Sequence, residues 1–358
     1  MKRILYFSIL FLFPIILFAQ SNKITIHFIL FTPPEENDIG SKIVNNYFKK
    51  TFVPNLEEYL KAECEIKKYY DNSYNEKTLD NLKNIIENIA SKPNDVIFFY
   101  RVGHGHNKGK NEYPFISFGD EKIGIEILDV YNTLRKKPHR LLVVMTETCN
   151  RPLLRNDKQG VSLSGTSPNK GNIKKKEQFK ELFINSKGDY LMSSSSKGEF
   201  SIDDFFISAF QKVFDETVDE SNKYRATWEI FLNRTKLQTS KNVPYAYIRD
   251  NKWCQNPQWF KGNYPYDVYE SSNKAMELIR KSRNGNDIDA RELNEYVKVM
   301  SDFYNQTYDC RIGKSLNIII EYVLKKKRLK FENKWEIYET KKMNDDIMSK
   351  CGCYIKHH

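Results

Sequence analysis

The stretch Asp95-Val-Ile-Phe-Phe-Tyr-Arg-Val-Gly-His104-Gly105 decides the fold. It is an apolar run, rich in branched and aromatic residues, that ends on a histidine between glycines. A second stretch of the same form, Leu141-Leu-Val-Val-Met-Thr-Glu147-Thr-Cys149, ends on a cysteine. Strands covered by helices on both faces carry unbroken apolar runs, and the residues just past their carboxyl ends gather at one rim of a parallel sheet. His104 and Cys149 are expected to meet at that rim. An imidazole that takes a thiol's proton leaves a strong sulfur nucleophile, so the pair points to covalent catalysis.

Working outward, Ile24 to Phe31 reads as a central strand closed by Pro33-Pro34. Apolar residues then recur at helical spacing from Ile39 to Leu60, with Pro54 bending or dividing the segment. Cys64 to Tyr70 alternates as a short strand, and Leu79, Leu82, Ile85, Ile86 and Ile89 mark a helix that stops before Pro93. After His104 come a polar loop from His106 to Glu112, a short piece at Phe115 to Phe118, and a helix over Ile127, Leu128, Tyr131 and Leu134. Strands and crossovers alternate at the lengths that parallel pairing requires, which predicts an α/β fold: a three-layer α/β/α sandwich with a mostly parallel central sheet.

Residues 150 to 176 lose all periodicity and carry Arg151, Arg155, Lys158, Lys170, Lys174, Lys175 and Lys176 against the single anion Asp157. A basic loop beside a reactive residue is either a substrate-facing element or a connector. Structure is expected to resume at Tyr190 to Ser196, with helices around Phe205 to Phe214 and Trp228 to Leu232 and a last strand at Tyr245 to Ile248. From Lys261 onward only helical patterns occur, at Ala275 to Ile279, Leu293 to Phe303 and Leu316 to Leu324. The reading divides the chain into a leader (1–19), an α/β domain (20–260) and a C-terminal α-helical region (261–358), either a module of its own or a packing appendage.

A chain of 358 residues with 40% hydrophobic content is long enough for a large domain and a smaller one, and wholesale disorder is excluded. Lys2 and Arg3 precede an apolar stretch that ends at Ala19, the pattern of a cleaved secretory signal peptide, and the expected location is secreted or periplasmic. The stretch is shorter than the roughly 20 residues that cross a bilayer and contains Pro14, so no stable membrane insertion is expected after cleavage. Of the six cysteines, Cys254, Cys310, Cys351 and Cys353 gather towards the carboxyl end; disulfides and free thiols both remain open for them, and spacing cannot give a pairing. The formal charge of +11 is spread along the chain with no nucleic-acid fold around the denser runs, so no nucleic-acid partner is expected.

The two strand ends resemble those of the caspase-like cysteine peptidases, and among them the metacaspases and their bacterial relatives. In that family one strand ends in Ser-Gly-His-Gly and a later one in Asp-x-Cys; here Val102 stands in place of the serine and Glu147 in place of the aspartate. The resemblance runs from residue 24 to residue 260 and includes Ser193 to Glu199 and Gln255 to Trp259, but not the tail. It implies that His104 is the general base and Cys149 the nucleophile, with the backbone N–H groups of Gly105 and Cys149 holding the oxyanion. It implies protein or peptide substrates, and Glu147 as the group that accepts Arg or Lys before the scissile bond, with self-cleavage in the 150–176 loop. For Glu147 the alternative is a pairing with Arg140 or Arg151. His106 lies past both glycines and is a bystander. No cofactor is implied; calcium activates some relatives, but no dense acidic ligand set of the EF-hand kind is present, and no metal ligand is assigned. The rival reading is a caspase-fold protein without activity that works as a protein-interaction module.

Overall fold

The computed structural model describes residues 23–34, 39–109, 111–151, 173–201, 204–219, 226–243, 254–284, 290–325 and 334–357. The leader expected at 1–19, most of the basic loop and the strand expected at 245–248 lie outside them.

The branched and aromatic run becomes β3 (Val96–Val102), and the run before Cys149 becomes β7 (Leu141–Glu147); every residue of both is buried. With β1 (Ile24–Phe31), β2 (Cys64–Asp71), β8 (Gly188–Ser193) and β9 (Gln258–Lys261) they form one sheet in the order β2-β1-β3-β7-β8-β9. All neighbours are parallel except β8 and β9. The mostly parallel sheet is therefore as expected, and its two inner strands are those that carry His104 and Cys149 at their carboxyl ends.

Because side chains alternate across a strand, β3 feeds both faces. Phe98 and Tyr100 join Phe28, Met145, Phe183, Phe210 and Trp228 in one apolar cluster, whereas Ile97 and Phe99 join Ile29, Leu82, Tyr131, Leu142 and Val144 in the other. The first cluster is closed by α1 (Ile39–Tyr47), α2 (Val53–Leu60), α5 (Ile173–Lys180), α6 (Phe205–Val218) and α7 (Trp228–Asn242), the second by α3 (Glu76–Asn88) and α4 (Ile127–Arg135). These are the three layers of an α/β/α sandwich. A π-helical turn at Phe48–Phe52 divides α1 from α2, and Pro54 sits in the first turn of α2, where its missing N–H goes unused.

A second, antiparallel sheet of β4 (Gly105–His106), β5 (Phe115–Phe118) and β6 (Asp120–Glu126) begins one residue after His104. Only its Phe115 to Phe118 strand is legible in the sequence, because β6 is polar and half-exposed and so lacks the apolar signal of the main strands.

The tail folds as α8 (Tyr266–Arg283), α9 (Ala290–Thr307), α10 (Cys310–Lys325) and α11 (Lys334–His357) around its own core of Tyr269, Ile279, Met300, Tyr304, Leu316 and Ile347. It is also fastened to the α/β domain. The four late cysteines form Cys254–Cys353, which joins α11 to the residues before β9, and Cys310–Cys351, which joins α10 to α11. Arg311 pairs with the buried Glu112, Asn233 donates to the Gln306 carbonyl at 2.8 Å, and Tyr354 donates to the Lys197 carbonyl at 3.4 Å. No helix among the described residues is long and apolar enough to cross a membrane.

Candidate active site

Register sets the site. Val102 and Glu147 are paired across β3 and β7, so His104 and Cys149 each lie two residues past the same rung. Gly103 N–H donates to the Glu147 carbonyl at 3.1 Å, which extends the ladder one step beyond the strands. Gly103 then turns the chain with φ of 135°, and a Cβ there would lie 3.0 Å from both Pro33 and Tyr74. Only glycine combines that backbone with that space. The turn leaves His104 exposed, with its ring edge-on to Tyr74 at 6.0 Å between centroids.

Cys149 belongs to neither disulfide and is a half-buried thiol. Its Sγ lies between two backbone groups of Ser201: the Ser201 N–H donates to Sγ at 3.4 Å, and Sγ is 3.7 Å from the Ser201 carbonyl. Arg151, two residues on, has its pKa lowered by burial while Cys149 pulls it the other way, so guanidinium and sulfur feel each other's charge; Arg151 also stacks on Phe200 at 3.5 Å. The neighbours of Cys149 are held tightly. Thr148 N–H donates to Ser194 Oγ at 3.0 Å, Ser195 Oγ donates to the Thr148 carbonyl at 2.9 Å, and Asn150 N–H donates to the Glu199 carbonyl at 2.9 Å. The Asn150 side chain donates to the carbonyls of Glu112 and Ser195 and accepts from Asn107 at 2.8 Å.

Glu147 lies beneath this rim, 5% exposed, on the sheet face of Tyr100, whose hydroxyl donates to its Oε2 at 2.9 Å. Burial first and the Glu147 charge second push the Tyr100 hydroxyl well above its ordinary pKa, which keeps it a donor. Arg140, one alternative partner for Glu147, is at the opposite end of β7, where its guanidinium donates to the carbonyls of Phe183, Ile184 and Ser186. Gly105 opens β4, and a Cβ there would meet the Phe115 carbonyl oxygen at 2.5 Å and Thr148 Cγ2 at 2.6 Å. His106 is buried against Phe115, and burial lowers its pKa. The other cysteine outside the disulfides, Cys64, is pushed up to about 11 by burial and donates to the Leu60 carbonyl, an inert setting.

Several site residues carry no local signal in the sequence. Tyr74 and Ser201 meet His104 and Cys149 only through long-range contacts, whereas Arg101 and Asn150 are near them in the chain but find their own partners far away; of these four only Arg101, a charge inside an apolar run, could have been singled out. Glu199, whose carbonyl accepts from Asn150 N–H, is a buried carboxyl close to the site: burial pushes it up to about 7 although Asn256 N–H, Asn256 Nδ2 and Ser196 N–H all donate to it. Nearby, burial lowers Lys236 to about 8, against the opposing charges of Asp309 and Glu199.

A family model of the caspase domain matches residues 53–255, from the first turn of α2 to the residues before β9. No curated protein matches the chain. The match covers both reactive strand ends and more than half of the chain, and the parallel sheet between two helical layers is the architecture it describes, so this chain belongs to the caspase-domain family of cysteine peptidases.

Proposed function

We propose that the protein is an exported cysteine endopeptidase of metacaspase type in which His104 and Cys149 form the catalytic pair. The observation that carries this reading is that the two residues stand the same two steps beyond one register pair, with the Thr148 hydroxyl bonded to the Gly103 carbonyl at 2.6 Å between them. In the proposed reaction the imidazole takes the thiol proton and Sγ attacks the substrate carbonyl carbon. The backbone N–H groups of Gly105 and Cys149 hold the oxyanion, and such donors are typically worth about 100-fold or more in rate. His104 gives the proton to the departing amine. It then takes one from water, which attacks the thioester and frees the sulfur.

Specificity for Arg or Lys before the scissile bond rests on Glu147, the buried carboxyl group at the end of β7, two residues before Cys149. A carboxylate meets these side chains with charge-assisted hydrogen bonds, of which an arginine fork makes two. The same preference makes the basic 150–176 loop a first substrate, and self-cleavage there would be the maturation step. No cofactor takes part in this scheme.

A thiol-reactive peptide probe with arginine at its recognition position tests the reading. Labelling that disappears in Cys149→Ala and falls sharply in His104→Ala is expected. A folded protein that stays unlabelled favours a caspase-fold interaction module instead. Self-cleavage is read on incubated full-length protein, and a Cys149→Ala chain cut equally well within the loop sinks that part.

A further inference from the structure

We infer that Arg101 is a positioning residue for this pair, acting through the peptide that carries His104; the inference rests on reading His104 and Cys149 as base and nucleophile. Arg101 is the one charged residue of β3, and it is completely buried. A guanidinium stays charged at any ordinary pH, so its burial is costly unless its donors are engaged. Nη1 donates to Thr148 Oγ1, and Nη2 donates to the Ser117 carbonyl and, at 3.3 Å, to Tyr74 Oη. The group also lies 5.7 Å from the Tyr74 ring and 5.3 Å from the Phe118 ring.

Each of the three residues it grips also holds the backbone at His104. Thr148 Oγ1 donates to the Gly103 carbonyl at 2.6 Å, His104 N–H donates to Tyr74 Oη at 2.8 Å, and Ser117 N–H donates to the His104 carbonyl at 3.0 Å. The Gly103 carbonyl and His104 N–H belong to one peptide plane, so Thr148 and Tyr74 fix that plane from opposite edges. Ser117 fixes the next carbonyl. Thr148 is also the residue before Cys149, so a single guanidinium joins the supports of the base to the strand end of the nucleophile. An ideal Cβ on Gly103 would lie 3.1 Å from Arg101 Nη2, so the guanidinium occupies the space that a side chain there would need. Tyr74 adopts φ of 51°, a left-handed backbone that is uncommon for tyrosine and persists only where its surroundings over-determine it.

Three acceptors in fixed directions call for a planar fork of donors; an ammonium on a flexible stem offers the charge without the directions. The role therefore lies in the fork. A displacement of about 1 Å between reacting groups costs on the order of 100-fold in rate.

The test uses the full-length protein and two readouts: the rate at which iodoacetamide alkylates Cys149, located by peptide mass, and kcat and KM on an arginine peptide. Arg101→Gln and Arg101→Lys are both expected to slow alkylation and lower kcat by about tenfold to a hundredfold, with KM nearly unchanged. Tyr74→Phe keeps the ring, removes the acceptor for His104 N–H, and is expected to lower the same two rates by about fivefold while adding little to Arg101→Gln, since both act on one peptide. Wild-type rates in Arg101→Lys, a rise in KM at unchanged kcat, or fully additive losses would overturn the inference. If circular dichroism shows both Arg101 variants unfolded, Tyr74→Phe decides alone: reduced rates support the inference and wild-type rates overturn it. His104→Ala is the reference. If it alkylates at the wild-type rate, the base-and-nucleophile reading fails; if it is slow while folded Arg101 and Tyr74 variants are not, only the positioning role fails.

Discussion

Val102 and Glu147 face each other as register partners at the carboxyl ends of β3 and β7, and this rung fixes where His104 and Cys149 stand. Two parallel strands that stop on one rung deliver the residues that follow to one place, whatever lies between them in sequence. The residues that carry the pair are anchored where they leave the strands: the Thr148 hydroxyl ties one strand end to the other, and β4 and β5 hold the far side of the His104 turn. Small changes at this rung are therefore expected to be felt in catalysis before they are felt in the fold.

Gly105→Ala is one such change. Its Cβ would stand 2.5 Å from the Phe115 carbonyl oxygen, which is backbone in a paired strand and cannot swing aside. The turn after His104 must shift, and with it the proposed oxyanion N–H. A fall in kcat of at least about tenfold is expected, with a stability loss of about 1–3 kcal/mol for the overpacked contact. Steady-state kinetics and a urea midpoint on the same preparation check both.

Glu147→Gln tests specificity. If the carboxylate recognises a basic side chain, kcat/KM on Arg and Lys peptides should drop by about tenfold to a hundredfold, the worth of one charge-assisted hydrogen bond. Cleavage of a matched peptide with a neutral residue at that position should change little. An equal loss on both peptides would mean that Glu147 supports the Tyr100 hydroxyl and does not read substrate.

The carboxyl of Glu199 links stability to pH. Its pKa rises from an ordinary 4.5 to about 7 on folding, chiefly through burial. The folded protein then holds a proton that the unfolded chain has released across that interval, so this group's contribution to stability is fully present below 4.5 and is lost as pH rises through about 7. Burial lowers His27 in the folded state, which has the opposite sign, since that group favours the fold increasingly as pH rises through its titration. The comparison must therefore be made against Glu199→Gln. The stability of wild type relative to that variant, from thermal melts at stepped pH, should fall between about 4.5 and 7. A constant difference would contradict the assignment.

Cys254–Cys353 closes a separation of 99 residues and cross-links the helical tail to the α/β domain. Replacing both cysteines by serine is expected to cost about 2–5 kcal/mol. The loss should concentrate at the seam where Tyr354 meets Lys197 and Arg311 meets Glu112. Hydrogen exchange should show faster opening of α11 than of β3. Equal protection of α11 with and without the bond would refute this.

The parallel core was legible because its strands are buried on both faces and so are written as unbroken apolar runs, and His104 and Cys149 stood out because each stands just past the end of such a run. β9 was not legible. It is a four-residue strand just after Pro257, too short to show a period of its own, and it exists because β8 offers it an edge. β6 was missed because a polar, half-exposed strand has little hydrophobic contrast to read.

The strands β1, β2, β3, β7 and β8 with most of the helices around them, the family, and the two strand ends where chemistry is to be sought could be read from the sequence. These depend on local periodicity and on short motifs, which neighbouring residues encode. Packing in three dimensions alone sets which cysteines pair, that Glu147 lies buried beneath the rim beside Tyr100, that Glu199 and Lys236 lie near one another, and that the guanidinium of Arg101 reaches Tyr74, Ser117 and Thr148 together. Those relations join positions far apart in the chain. Their partners are set by how the layers pack and by which buried polar groups must find one another, and no single stretch of sequence holds that information.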